Sequence, residues 1–209
     1  MASIVGLSCL LSVGCLGLAS NLMHAAGLDM IPAEYEGLDE QTVAVVVEVA
    51  GGSLARDPNA IQMTQALRRE LLANVTEIQI VRDDKIAQWR DTHDPGDRDY
   101  TQMARDLDAS RVLLVRLDNL KLRDGATLYR GTCDAAVEVI ELPEGTSGYV
   151  RQLDEYAYPQ LAGQPISETS LSKFTKVYMT TMAEEIVRSF RKYDPGERFA
   201  LDGRIARSQ

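Results

Sequence analysis

Thr42 to Ala50, TVAVVVEVA, is a nearly unbroken β-branched run of strand length, the pattern of a strand buried on both faces. It ends at Gly51-Gly52. Asp57 then offers an N-cap with Pro58 at the first helical position, and Ile61, Thr64, Leu67, Leu71 and Val75 recur at helical spacing. Together these predict an amphipathic helix to about Asn74. Thr76 to Arg82 alternates as a second strand, and DDKIAQWRD adds a short helical turn in which Trp89 caps the core. Asp99 and Gln102 read as the N-cap and capping-box partner of a short helix carrying Met103 and Leu107. Arg111 to Leu122 is a third strand, Asp124-Gly125 a hairpin turn, and TLYRGTCDAAVEVIEL the antiparallel return. After a turn at PEGTSG, Tyr149 to Tyr158 closes a meander. A long helix from Leu171 to Tyr193 follows, with Phe174, Tyr178, Ile186 and Phe190 in one stripe widened by Val177, Met182 and Val187, and Asp194-Pro195-Gly196 stops it.

This order predicts an α/β fold: a single mixed β-sheet, a β-α-β unit followed by an antiparallel meander, with helices packed on it and a long C-terminal helix. The implied boundaries are an anchor segment over residues 1–28, a linker over 29–41, the α/β domain over 42–193 and a loose tail over 194–209. At 209 residues and 45% apolar content the chain can bury a substantial core.

The first segment has a different character. Residues 2–28 hold no Asp, Glu, Lys or Arg, and Ile4 to Val13 has the length of a signal-peptide core followed by the small residue Gly14. A helix of this length would also cross a bilayer core. Three readings stay open: an uncleaved membrane anchor, an ordinary cleaved signal, and a lipid attachment site at Cys15.

Charge and cysteine count narrow the rest. With 31 acids against 22 bases and a net charge of −9, the chain is unsuited to unaided nucleic-acid binding. Three cysteines, two of them in the anchor segment, leave Cys133 alone in the body, where its apolar strand setting predicts a small buried residue. No C-x-x-C, G-x-S-x-G or phosphate-cradling glycine motif occurs, and no catalytic residue or cofactor is expected. The richest polar cluster, Arg90 to Asp99, would need Asp91, His93, Asp94 and Asp97 as metal ligands. Counted from Asp91 as a calcium loop, Gly96 fits, but His93, Pro95 and Gln102 fall at ligand positions, so a solvated loop capped by Asp99 is the simpler expectation. Tyr149, Tyr156 and Tyr158 suggest an interaction surface, because tyrosine suits interfaces; a half-buried strand accounts for them as well.

Ser12-Val13-Gly14-Cys15 resembles the bacterial lipoprotein signal, which ends in a small residue before a cysteine that takes up a diacylglyceryl group. Two departures stand out: Ser12 occupies the place usually held by Leu, and no Lys or Arg precedes Arg56. The resemblance implies membrane attachment through lipid at Cys15 and a folded domain in the periplasm. Leu16, not Asp, after the cysteine implies the outer membrane. The Val-rich first strand, the helix with Leu67 and Leu71, and Ala104, Leu107, Ala109 and Val112 entering a strand resemble one group of envelope lipoproteins. That group includes the curli-secretion lipoprotein, the penicillin-binding-protein activators and the N-terminal domain of the Tol-system propeller protein. VGCLGLASNL and IPAEYEGLDEQTVAVV also look like uncharacterised planctomycete predicted lipoproteins. The likeness implies a non-catalytic protein-binding or assembly factor whose partner is an envelope protein or a second copy. The alternatives are a metal-dependent or hydrolytic enzyme centred on His93 and its aspartates, and a structural, oligomer-forming lipoprotein.

The anchoring expectation has a direct check. Intact-mass analysis of the mature chain from native membranes should find a species beginning at Cys15 with added lipid, lost in Cys15→Ala; a species starting at Met1 without lipid would overturn it.

Overall fold

The computed structural model describes residues 30–51, 57–94 and 98–196, so the anchor segment with Cys15, and Asp97, lie outside the described residues. Residues 34–191 form one compact unit. In a second, small unit, Ile31 and Tyr193 exchange both backbone hydrogen bonds, at 2.9 and 3.0 Å.

The elements of the larger unit are β1 (Thr42–Val49), α1 (Pro58–Asn74), β2 (Gln79–Ile80), α2 (Asp83–Thr92), α3 (Tyr100–Asp106), β3 (Arg111–Lys121), β4 (Leu128–Tyr129), β5 (Gly131–Glu141), β6 (Thr146–Tyr158), β7 (Gln164–Pro165) and α4 (Leu171–Val187). Five strands make a mixed sheet in the order β2-β1-β3-β5-β6, parallel across β2, β1 and β3 and antiparallel across β3, β5 and β6. β4 and β7 pair separately. This is the expected mixed α/β architecture.

Period-two alternation divides β1 between two cores. Val43, Val45 and Val47 join Leu113, Val115 and Leu117 of β3 and Cys133, Ala135, Val137 and Val139 of β5 under α1 and α4. Ala44 and Val46 join Val112, Leu114 and Ile140 under α2 and α3, where Ile86, Trp89, Tyr100 and Met103 close the opposite face. Hence a strand with no polar alternation: each side of it has its own helical cover. The predicted caps form. Asp57 Oδ1 accepts from the Asn59 and Ala60 amides at 2.7 and 3.2 Å, and Asp99 Oδ1 from the Gln102 amide at 2.8 Å. Gln102 itself turns to Asp106 instead of back to the cap, so only half of the capping box is made.

Several expectations need correction. The second strand shrinks to two residues, because the chain turns at Glu77, with φ 47°, and enters α2 immediately after Arg82. The short turn there is instead a helix of 10 residues, held by burial of Ile86 and Trp89. On α1 the buried stripe is Ala60, Met63, Ala66, Leu67 and Leu71, while Ile61 stays 48% exposed. The hairpin return divides at Arg130: β4 leaves to pair with β7, and β5 alone pairs with β3. The final helix stops at Val187 and tightens into a 3₁₀ turn over Arg188–Phe190. There the Ser189 carbonyl accepts the Glu34 and Tyr35 amides, so the end is capped from outside the helix. Residues 34–41 also contribute to the main core, where Leu38 is 1% exposed.

At Gly131 the fully buried Tyr178 ring lies directly on the strand, in the space a Cβ would take. Its hydroxyl donates to the Tyr156 carbonyl at 3.1 Å, tying α4 to β6. Gly131→Ala should therefore lower stability by about 2 kcal/mol, the usual cost of overpacking a full core, read as a fall in the urea midpoint at unchanged slope.

Candidate interaction surface

β6 is the outermost strand of the sheet on the meander side, and at 13 residues it exceeds every other strand. One of its edges pairs with β5; the other carries backbone donors and acceptors that no described strand meets. Two register shifts, between Cys133 and Ala135 and between Val139 and Ile140, mark bulges that bend the strand near both ends.

Behind this edge the strand is braced. Arg151 donates to the Glu185 carbonyl at 3.2 Å, to Ser189 Oγ at 2.6 Å and to Glu185 Oε1 at 2.8 Å. The other oxygen of Glu185 takes Arg188, and Glu185 and Arg188 are each 7% exposed. Tyr149, Tyr156 and Tyr158 are half-buried against the α1–α4 core. Tyr149 packs between Tyr35 and Phe190, with ring centroids 5.6 and 5.5 Å away, and donates its hydroxyl to Glu34; Tyr35 in turn donates to Glu141. Burial first, and then the neighbouring carboxylate, push the Tyr149 and Tyr35 hydroxyls up to about 12, so both remain protonated donors. Burial likewise raises Tyr156 to about 12. Each ring thus packs inward while keeping part of its surface exposed beside the edge.

The opposite face of β6 is more open. Val150 is 61% exposed there. A polar ladder crosses the same face: Glu48 of β1 accepts Tyr100 and lies 3.6 Å from Arg98 and 3.7 Å from Arg116, Arg116 reaches Glu138 of β5 at 3.2 Å, and Ser147 of β6 donates to Glu138. Beyond β6, Arg130 holds the Pro159 and Gln160 carbonyls, and Leu161 stands 99% exposed on the loop that follows.

Of the four candidate ligands in the aspartate loop, Asp91, His93 and Asp94 are among the described residues. His93 stacks on Trp89 at 3.9 Å and its Nδ1 lies 2.7 Å from the Trp89 carbonyl, so that nitrogen is engaged in closing α2. Trp89 donates to Asp106 at 2.8 Å, while Asp91 and Asp94 are exposed. Among the described residues no group of three or more His, Cys, Asp or Glu side chains could hold a metal ion. Cys133 is buried on β5, and burial pushes its thiol up to about 12, away from reactivity at neutral pH. Among the described residues no helix is long and apolar enough to cross a membrane.

Sequence reasoning located the tyrosine strand but missed what braces it. Arg151–Glu185 and Tyr149–Glu34 join residues far apart in the chain and follow no local spacing. The one available signal was Glu185, a carboxylate within the apolar stripe of α4.

No family model and no curated protein matches the chain. Among solved structures, the fold is similar to the PelC dodecamer from Paraburkholderia phytofirmans at TM-score 0.46 and 12% identity, over 76% of this chain and 89% of that one. It is similar to the lipoprotein GNA1162 from Neisseria meningitidis at TM-score 0.45 and 11% identity, over 71% and 99%. It is also similar to the LpoB C-terminal domain from Salmonella enterica at TM-score 0.38 and 17% identity, over 69% and 94%. At these scores and identities the likenesses lend no weight to a functional reading.

The bracing network has a measurable consequence. Glu185→Ala removes the carboxylate to which the buried Arg188 and the half-buried Arg151 both donate and should cost about 3 kcal/mol. In hydrogen exchange the β6 amides should lose protection before those of β1 and β3.

Proposed function

We propose that this chain is a non-catalytic binding or assembly factor of the bacterial envelope, held at the membrane through Cys15, whose folded domain offers the β6 edge to a partner protein. The observation that carries the reading is the edge itself. A long edge strand is a template for another strand, and proteins that do not use such an edge commonly shorten, charge or cover it. Here the edge strand is 13 residues long, keeps a regular stretch from Tyr149 to Leu153 between its two bulges, and is buttressed from behind by Arg151, Glu185 and Tyr149. A braced edge loses little conformational entropy on pairing, which favours binding. Val150 on one face, and the half-exposed Tyr149, Tyr156 and Tyr158 on the other, supply the alternating side-chain contacts that make strand addition selective. Tethering through lipid would raise the local concentration of the domain toward other membrane-held proteins. The Cys15 motif supports a lipid anchor, and its Leu16 supports the outer membrane.

A photo-crosslinker at Gln152, activated in native membranes, should give a discrete heterologous adduct. Val150→Lys should reduce that adduct severalfold while the domain stays folded, since the new ammonium faces Glu138 across the β5–β6 pair and adds a repelling charge to the edge. Absence of any adduct sinks the reading. An adduct of twice the chain mass alone moves it to the oligomer-forming alternative.

A further inference from the structure

The sheet has a second edge, on its far side, that the described strands leave partly unpaired. β2 pairs with β1 only at Thr42 and Val43 before the chain turns into α2. The direction of the β1 backbone groups follows from the bonds at its two ends. Gln79 donates to the Gln41 carbonyl at 2.9 Å and Val81 to the Val43 carbonyl at 3.0 Å, so odd-numbered residues face the β2 side. Even-numbered residues face β3: the Thr42 carbonyl accepts from Ser110 at 2.8 Å, and the Ala50 amide donates to Leu117 at 2.9 Å. Val45 and Val47 therefore turn their N–H and C=O groups outward past the end of β2, where no described strand meets them. Both residues are almost wholly buried, at 2% and 3% exposure. Four backbone groups at a buried strand edge call for hydrogen-bonding partners.

What lies beside them is a cleft of about 290 Å³. Val45 and Val47 form its floor, Ala60 and Ile61 of α1 one wall, and Ile86 and Ala87 of α2 the other. Asp57, Asp83, Arg90 and Asp91 stand around it. Asp83 is paired with Arg68 at 3.1 Å, and Arg90 lies in the field of Glu48 and Tyr100. Counting Asp57 and Asp91 against Arg90, the described rim side chains keep an excess of acid.

We infer that this cleft is a peptide-binding groove, in which a short extended segment of a partner protein, small and apolar at alternate positions and basic at its flanks, adds as a strand to β1 beyond Val43. A strand is the ligand that fits. Outward N–H and C=O groups repeating every second residue, roughly 7 Å apart along the strand, match an extended chain and nothing compact. The apolar Ala60–Ile61 and Ile86–Ala87 walls and a volume of about 290 Å³ favour small apolar side chains, and the acidic rim favours Lys or Arg on either side. This site is separate from the β6 edge and does not rest on it.

The test uses a random heptapeptide library displayed on phage, panned against the intact protein, with synthetic copies of the selected peptides measured by fluorescence anisotropy. Selected sequences should share small apolar residues in alternation and flanking Lys or Arg. Methylating alternate amide nitrogens of a selected peptide should weaken binding by about tenfold or more, equivalent to losing one to two net hydrogen bonds. Ala87→Trp and, separately, Ile61→Trp should each abolish binding by filling the groove. Both positions are exposed, so the melting temperature should stay unchanged. The inference is overturned if no sequence is enriched, if the methylated peptide binds equally well, or if binding survives both tryptophan variants. It is equally overturned if sedimentation shows a self-associated protein that Ala87→Trp converts to monomer, since the groove then holds a second copy.

Discussion

The rest of the domain depends on burying β1 on both faces. A strand in which Val43, Val45 and Val47 point one way and Ala44 and Val46 the other cannot stand at a solvated surface. It requires one helical layer above the sheet and another below. α1 and α4 make the larger layer, and α2 and α3 the smaller. Because the smaller core occupies only one end of β1, β3 and β5 on that face, the other end is polar, and Glu48, Arg116, Glu138 and Ser147 cross it as a ladder.

From this asymmetry follow the two edges. On the meander side, β5 alternates between buried and half-buried residues from Gly131 to Val139, with Cys133, Ala135, Val137 and Val139 inward. It passes the same alternation to β6, whose outer edge meets no described strand. On the other side the chain leaves β2 after two residues and drops into α2, so β1 is an internal strand at Val43 and an edge strand at Val45. One edge is long and braced by buried charge. The other is short and recessed between helices. Each suits an extended chain, and the difference in setting would select different partners.

Local signals recovered the element types and their order wherever a residue acts within a few positions of itself. The Asp57 and Asp99 caps, the double-sided β1 run and the Phe174–Tyr178–Ile186 stripe are of this kind. Legibility failed where distant segments compete for the same backbone. Thr76 to Arg82 alternates like a strand, yet α2 claims the chain at Asp83. The final helix pattern runs on to Tyr193, yet Ser189 is capped by Glu34 and Tyr35. Residues 34–41 look like a polar lead-in, and Leu38 nevertheless sits in the core.

The candidate surfaces divide in the same way. The tyrosines of β6 could be picked out by composition and spacing, because side-chain type alone carries that information. By itself, then, the sequence determined the mixed α/β class and the order of elements. Tertiary structure alone decided which strand edges meet no described strand, what braces β6, and that α1 and α2 flank the stretch of β1 beyond β2. Those features rest on contacts between segments dozens of residues apart, where the outcome depends on which distant group arrives to satisfy a buried backbone or charge.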